Sequence, residues 1–215
     1  MQTNHNKKQK NTESKGLSQQ NNVDSSLKSK QDFAKQDVAN DSSLKSNLLN
    51  LAQMAFLSVF WVGKCPKASG TMGSVAGVVL GVPILYFSSQ TLFLLAVFIG
   101  LVAIKQVNLY EAQNQGKEGF SHDASWIVID EVVGVWIALS IACFSEISTL
   151  GVGSAFVLFR VFDIWKPSLI GKIDKEAKGG LGVVGDDALA GLIAGIASLV
   201  VLQCVNVIHS LIDFA

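Results

Sequence analysis

Charged residues stand where long apolar runs begin or end: Asp130-Glu131, then Arg160, Asp163 and Lys166 at every third position, then Asp186-Asp187. Ionisable side chains next to hydrocarbon are expensive, so such positions are functional by default. Asp130, Glu131, Asp163, Asp186 and Asp187, brought to one place, would repel unless a cation sat among them. Carboxylates are hard oxygen ligands, and no His/Cys set stands at zinc spacing, so the pattern favours Mg²⁺. Arg160 is the sole arginine, and a guanidinium grips phosphate through a planar fork that lysine lacks. Together these residues point to metal-assisted chemistry on a lipid headgroup.

Four stretches carry the pattern. Residues 65–74, Cys-Pro-Lys-Ala-Ser-Gly-Thr-Met-Gly-Ser, lead into an apolar run. Gly, Thr and Ser before a helix leave backbone N–H groups and hydroxyls for an anion, although taken alone a plain helix cap is the simpler account. A cysteine-phosphatase loop is excluded, because Thr71 stands where its arginine is needed. In residues 122–131, Asp123 or Ser125 can cap a helix and Trp126 suits an interface, while His122 reads as a solvated loop residue. A full turn of apolar residues precedes Asp130-Glu131, so capping does not account for that pair. Gly134, one turn on, leaves room for a neighbouring helix or ligand. In residues 159–167, helical spacing puts Arg160, Asp163 and Lys166 on one face; the bland alternative is an Arg–Asp pair that merely neutralises itself. Residues 179–187, Gly-Gly-Leu-Gly-Val-Val-Gly-Asp-Asp, read as a permissive turn ending at a helix start, with one aspartate as cap and the other as ligand or base.

The elements that must position these residues are helices in a membrane. Hydrophobic residues make up 49% of the 215, charged residues 16%, and mean hydropathy is +0.39. Residues 1–46 are rich in Gln, Asn, Ser and Lys, cannot bury enough surface to offset ordering, and read as a disordered tail. Residues 47–215 read as one membrane-embedded domain. Runs over residues 72–88, 91–107, 126–144, 147–164 and 188–212 approach the roughly 20 residues a span needs. A shorter run over 48–62 reads as interfacial or re-entrant. The fold class is therefore all-α, a multi-pass bundle of four or five transmembrane helices.

Lysines orient it. Lys64, Lys67, Lys105, Lys117, Lys166, Lys172, Lys175 and Lys178 flank alternate ends, whereas residues 88–91 and 143–150 hold no Lys or Arg. The positive-inside rule then places the N-terminus and every charged cluster on the cytoplasmic side. Gly73, Gly77 and Gly81, and Gly191 and Gly195, recur every four residues, which is a packing signal. No secretory signal opens the chain. Cys143 and Cys204, in apolar runs, read as buried structural thiols, and three cysteines do not make a disulfide framework. A formal net charge of zero gives no reason to expect nucleic acid.

The four stretches in order resemble the phosphatidylglycerophosphatase A family of bacterial membrane lipid phosphatases, from about Ala55 to Ile208. The entry loop falls on Pro66 and Gly70-Thr71-Met72-Gly73-Ser74. The Asp…Ile-Val-x-Asp-Glu motif falls on Asp123, Ile127-Val128, Asp130 and Glu131. Phe-Arg-x-x-Asp-x-x-Lys-Pro falls on Phe159 to Pro167, and Gly-Gly-x-Gly…Asp-Asp on Gly179 to Asp187. Two departures stand out: Ser69 where a proline is usual, and the long polar N-terminal extension. The resemblance implies Mg²⁺-dependent hydrolysis of phosphatidylglycerophosphate to phosphatidylglycerol at the bacterial inner membrane. Asp130, Glu131, Asp163 and Asp187 would be catalytic, and Mg²⁺ would sit on a subset of Asp130, Glu131, Asp163, Asp186 and Asp187. Arg160, Lys166, Thr71, Ser74 and Asp123 would bind substrate. Attack by water with a spare carboxylate as base, and a phospho-aspartate route, both stay open.

Two rivals fit less well. A CDP-alcohol phosphotransferase needs an Asp-Gly-x-x-Ala-Arg stretch, and the lone arginine lies elsewhere. A cation-transport bundle needs charges along the path across the bilayer, whereas these gather at one face.

Overall fold

The computed structural model describes residues 36, 40–65, 68–115, 124–166 and 179–213. The chain divides into two units, Met1–Leu51 and Ala52–Ala215. In the first, residues 40–51 are helical and exposed, so helix begins inside the stretch expected to be disordered. Asp41 and Lys45, one turn apart, pair at 2.7 Å, which supports an exposed helix by about 0.3–0.5 kcal/mol. Apart from Gln36, residues 1–39 lie outside the described residues.

The second unit is all-α, with no strand among its described residues. A helical segment over residues 52–57 and a 3-10 turn, Val62–Lys64, precede five helices: α1 (Ser69–Leu85), α2 (Ser89–Asn114), α3 (Ile129–Ala142), α4 (Thr149–Trp165) and α5 (Gly180–Asp213). Between residues 57 and 62 the chain turns through Val59, Phe60 and Trp61, all left-handed at φ 48, 52 and 67°. Side-chain-bearing residues avoid that region. Ser58 holds the turn, its carbonyl accepting from the Gly63 N–H and its hydroxyl from the Trp61 N–H, each at 3.0 Å.

α3 is the central helix. It packs against α1, α2, α4 and α5, and all its residues except Asp130, Glu131 and Ile141 are buried. The recurrent glycines do pack helices, as their spacing predicts. A Cβ on Gly77 would lie 3.2 Å from the Val132 Cα, and one on Gly81 would lie 2.8 Å from the Trp136 ring. The Trp136 indole donates to the Gly77 carbonyl at 2.8 Å, tying α3 to α1. On the other side, Gly191 of α5 lies against the Gly134 backbone and Gly195 against Ile141.

Helix boundaries differ from those the apolar runs predict, and backbone hydrogen bonding explains where. α3 starts at Ile129 because the preceding amides are engaged elsewhere: Ile127 N–H on the Ala124 carbonyl at 2.9 Å, Val128 N–H on the Leu57 carbonyl at 3.0 Å. Its N-cap is Val128, without a side-chain cap, so Ser125 does not have the capping role expected of it. α5 starts at Gly180, about two turns before residue 188. Left-handed Gly179 (φ 68°) makes the turn, and the Gly180 N–H donates to Asn108 Oδ1 on α2 at 2.7 Å. α1 takes in Gly70 and Thr71, and α2 continues past residue 107 to Asn114.

Two helices, Ser89–Asn114 and Gly180–Ile212, are long and apolar enough to cross a membrane. Large apolar side chains are exposed on both, among them Phe93, Leu94, Phe98 and Leu101 on α2, and Ile196 and Val200 on α5. Cys143 is buried as expected. Cys204 is exposed, because it falls on an outward face of α5.

Candidate active site

Three helix ends meet at the site, the N-termini of α1 and α3 and the C-terminus of α4, with a point about two turns into α5. Asp130 and Glu131 occupy the first turn of α3, not a turn inside it, since residues 126–128 are not helical. Partial positive charge at a helix N-terminus favours carboxylates there. Asp187 comes from α5, and the two helices approach unusually closely at this level. A Cβ on Gly134 would lie 2.6 Å from the Asp187 carbonyl oxygen and would press on the Phe159 ring. That backbone approach brings ligand oxygens of Asp130, Glu131 and Asp187 within 4.8 Å of one another.

Arg160 and Asp163 arrive from the last turns of α4 and pair with each other. The guanidinium also reaches α1: Nη1 donates to Ser74 Oγ at 3.2 Å and Nη2 to Thr71 Oγ1 at 3.5 Å. Ser74 is fully buried and donates in turn to the Gly70 carbonyl at 2.9 Å. Gly70 completes the floor: a Cβ there would lie 2.6 Å from Glu131 Oε1 and 3.6 Å from both terminal nitrogens of Arg160. A glycine at this point keeps open the space between carboxylate and guanidinium.

Lys166 and Asp186 stand slightly apart from that group. Lys166 is the left-handed C-cap of α4 (φ 43°) and so leaves the face that Arg160 and Asp163 share, contrary to the spacing argument. Its Nζ donates to Asp186 Oδ2 at 2.7 Å. Asp186 and Asp187 are both buried, at 4% exposure, and sit inside α5. Neither caps the helix; the cap expected of one of them is supplied by Asn108. Asp123 and His122 lie outside the described residues.

The donor set suits a hard divalent cation. Three carboxylates converge, and Asp130 Oδ1 and Glu131 Oε2 are buried without a hydrogen-bond partner among the described residues. Buried polar atoms are nearly always satisfied, so two orphaned carboxylate oxygens side by side call for a positive partner. Sequence reasoning missed two contributors. Asn108 is one of many polar residues in a stretch read as a link; the spacing Gly100, Ala103, Val107, Tyr110 was the signal that α2 continues. Tyr110 then meets Trp126 edge-on, ring centroids 5.2 Å apart, and steadies the segment leading into Asp130.

Fold and site together define the class: a helical protein, apolar enough in two helices to cross a membrane, with an acidic oxygen cluster beside a guanidinium at one end. Within that class the chain belongs to the phosphatidylglycerophosphatase A family, which it matches over residues 55–202. It is 34% identical to phosphatidylglycerophosphatase A of Escherichia coli over 161 residues, 74% of this chain and 86% of the relative. It is 36% identical to the Haemophilus influenzae protein of that name, over 72% of this chain and 91% of the relative. A Bacteroides thetaiotaomicron protein, provisionally named a phosphatidylinositol-3-phosphatase, is 37% identical over 62% of this chain and 82% of its own length. No solved structure matches the chain.

Proposed function

We propose that this protein hydrolyses the terminal phosphate monoester of phosphatidylglycerophosphate, with Mg²⁺ held by Asp130, Glu131 and Asp187. The observation that carries this reading is the convergence of three carboxylates, two with orphaned oxygens, on the open side of the chain's sole guanidinium. Family membership and the names of its relatives supply the substrate. A bound divalent cation would neutralise charge on the phosphoryl oxygens and acidify a water.

The chain's own groups divide the remaining work. Arg160 and the Thr71 hydroxyl hold the phosphate, and the N-terminal amides of α1 face the same anion. Arg160 is paired with Asp163 before substrate arrives. A phosphate that takes up the guanidinium frees the Asp163 carboxylate to accept a proton from the attacking water, or to act as the nucleophile in a phospho-aspartate route. Ser74 holds the guanidinium from behind. Lys166 with Asp186 braces α4 against α5, and Lys166 remains a proposed phosphate contact. Asp123 remains a proposed substrate contact.

The same reading makes the protein an integral membrane enzyme of the bacterial inner membrane, with four or five spans and its acidic end cytoplasmic. The two long apolar helices, the apolar outward faces and the lysine distribution support it. α3, at 14 residues, is about 21 Å long. It suits a bundle in which non-helical residues 124–128 are shielded by protein rather than by lipid. Against a cation path, the buried polar side chains away from the site are all serines among the described residues.

Purified full-length protein in detergent should release phosphate from phosphatidylglycerophosphate, lose that activity with EDTA and regain it with Mg²⁺. Phosphatidic acid and phosphatidylinositol 3-phosphate complete the panel. Preference for either of these would reassign the headgroup, and silence on all three would end the phosphatase reading.

A further inference from the structure

The phosphate cradle lies at the head of a seam between α1 and α4. Thr71 and Arg160, in contact across it, mark its polar end. On α1, Val75, Val78 and Val82 follow Thr71 at helical spacing and lie on its side of the helix. On α4, which runs in the opposite sense relative to the site, Val157 and Gly153 precede Arg160 at the same kind of spacing. Val75 and Val157 are exposed, at 40% and 56%, and Val78 and Val82 are half-buried. Gly153 is exposed too, and a Cβ built on it would meet nothing within 4 Å. Gly153 therefore faces open space about 10 Å from Arg160 along α4.

A cationic head continuous with an apolar stripe matches a ligand with an anionic head and an apolar tail. A partner helix seated there would seal the cradle from its lipid. Resting on the reading that the substrate is a phosphorylated glycerolipid, we propose that the α1–α4 seam receives an acyl chain of the lipid whose phosphate Arg160 holds, with Gly153 as the notch that admits it. Such remote contacts are one source of the energy that positions the reacting phosphate.

Gly153→Phe tests this without disturbing the protein's own packing, because the added ring has open space to enter and glycine is the weaker helix former. Full-length wild type and variant would be assayed with Mg²⁺ in one detergent, on dioleoyl and dihexanoyl phosphatidylglycerophosphate. The ratio of kcat/KM for the long-chain over the short-chain lipid should fall severalfold in Gly153→Phe, from the packing contacts the chain loses. Gly153→Ala should fall between wild type and Gly153→Phe, and Val200→Phe, on the exposed face of α5, should keep the wild-type ratio. An unchanged ratio in Gly153→Phe overturns the seam, as does an equal fall in Val200→Phe. A wild-type protein inactive on both chain lengths overturns the functional reading itself, and the seam with it.

Discussion

Ser74 on α1 accepts a hydrogen bond from the Arg160 guanidinium on α4 at 3.2 Å, and it does so from a fully buried position. The contact fixes where the sole arginine points. Ser74→Ala should keep the fold but let the guanidinium swing, lowering kcat/KM about tenfold in a phosphate-release assay. Arg160→Lys retains charge but loses the planar fork, and a loss of about a hundredfold or more is expected. Equal activity in Arg160→Lys and wild type would remove the bidentate grip from the scheme.

Neutralising the acidic cluster should separate stability from activity. Asp130, Glu131 and Asp187 repel one another when no cation is present. In EDTA, Asp130→Asn and Asp187→Asn should therefore melt about 2–4 °C above wild type, the shift that roughly 1 kcal/mol gives in a chain of this size. Both should be inactive. Saturating Mg²⁺ should raise the wild-type Tm and leave the variants unmoved, because only a protein that binds the ion gains from mass action. An EPR titration with Mn²⁺ reads the same loss of binding directly. Full activity in Asp130→Asn would take that residue out of the mechanism.

Lys166 and Asp186 offer a test between bracing and substrate contact. They pair at 2.7 Å, with Asp186 buried and Lys166 about one-third exposed. If the pair is mainly a brace, a double-mutant cycle with Lys166→Met and Asp186→Asn should give coupling in Tm on the order of 1 kcal/mol. KM should then change alike in both single variants. A rise in KM confined to Lys166→Met would instead make Lys166 a direct phosphate ligand.

Gly134→Ala should be disproportionately harmful. The new methyl would press on the Asp187 carbonyl and the Phe159 ring, and overpacking of this kind costs about 1–3 kcal/mol. It also pushes α5 away from α3, parting Asp187 from Asp130. Activity and metal affinity should fall further than thermal stability alone explains, and enzyme that stays fully active at temperatures where it is folded would argue against this geometric coupling.

Much of the site is legible in the linear sequence. Asp130, Glu131, Asp163, Asp187 and Arg160 could be picked out because ionisable groups bordering apolar runs are too expensive to be incidental. The glycines were legible for the same kind of reason, since a four-residue repeat in an apolar helix has little other use. Helix starts were less so. Apolar runs record where side chains avoid water, whereas a helix start also depends on where the orphan amides around it find partners. Leu57 and Ala124 hold the amides before α3, and Asn108 receives the first amide of α5. Neither arrangement has a local signature.

The chain alone pointed to helices, to candidate chemical residues and to charged groups sharing one end. Tertiary structure decided which of them act together. Five candidate carboxylates became a cluster of three, with Asp163 held by Arg160 and Asp186 by Lys166. That division follows from the close approach of α3 and α5 at Gly134 and from the left-handed turn at Lys166. Both depend on contacts between residues far apart in sequence, and no periodicity along one helix encodes such contacts.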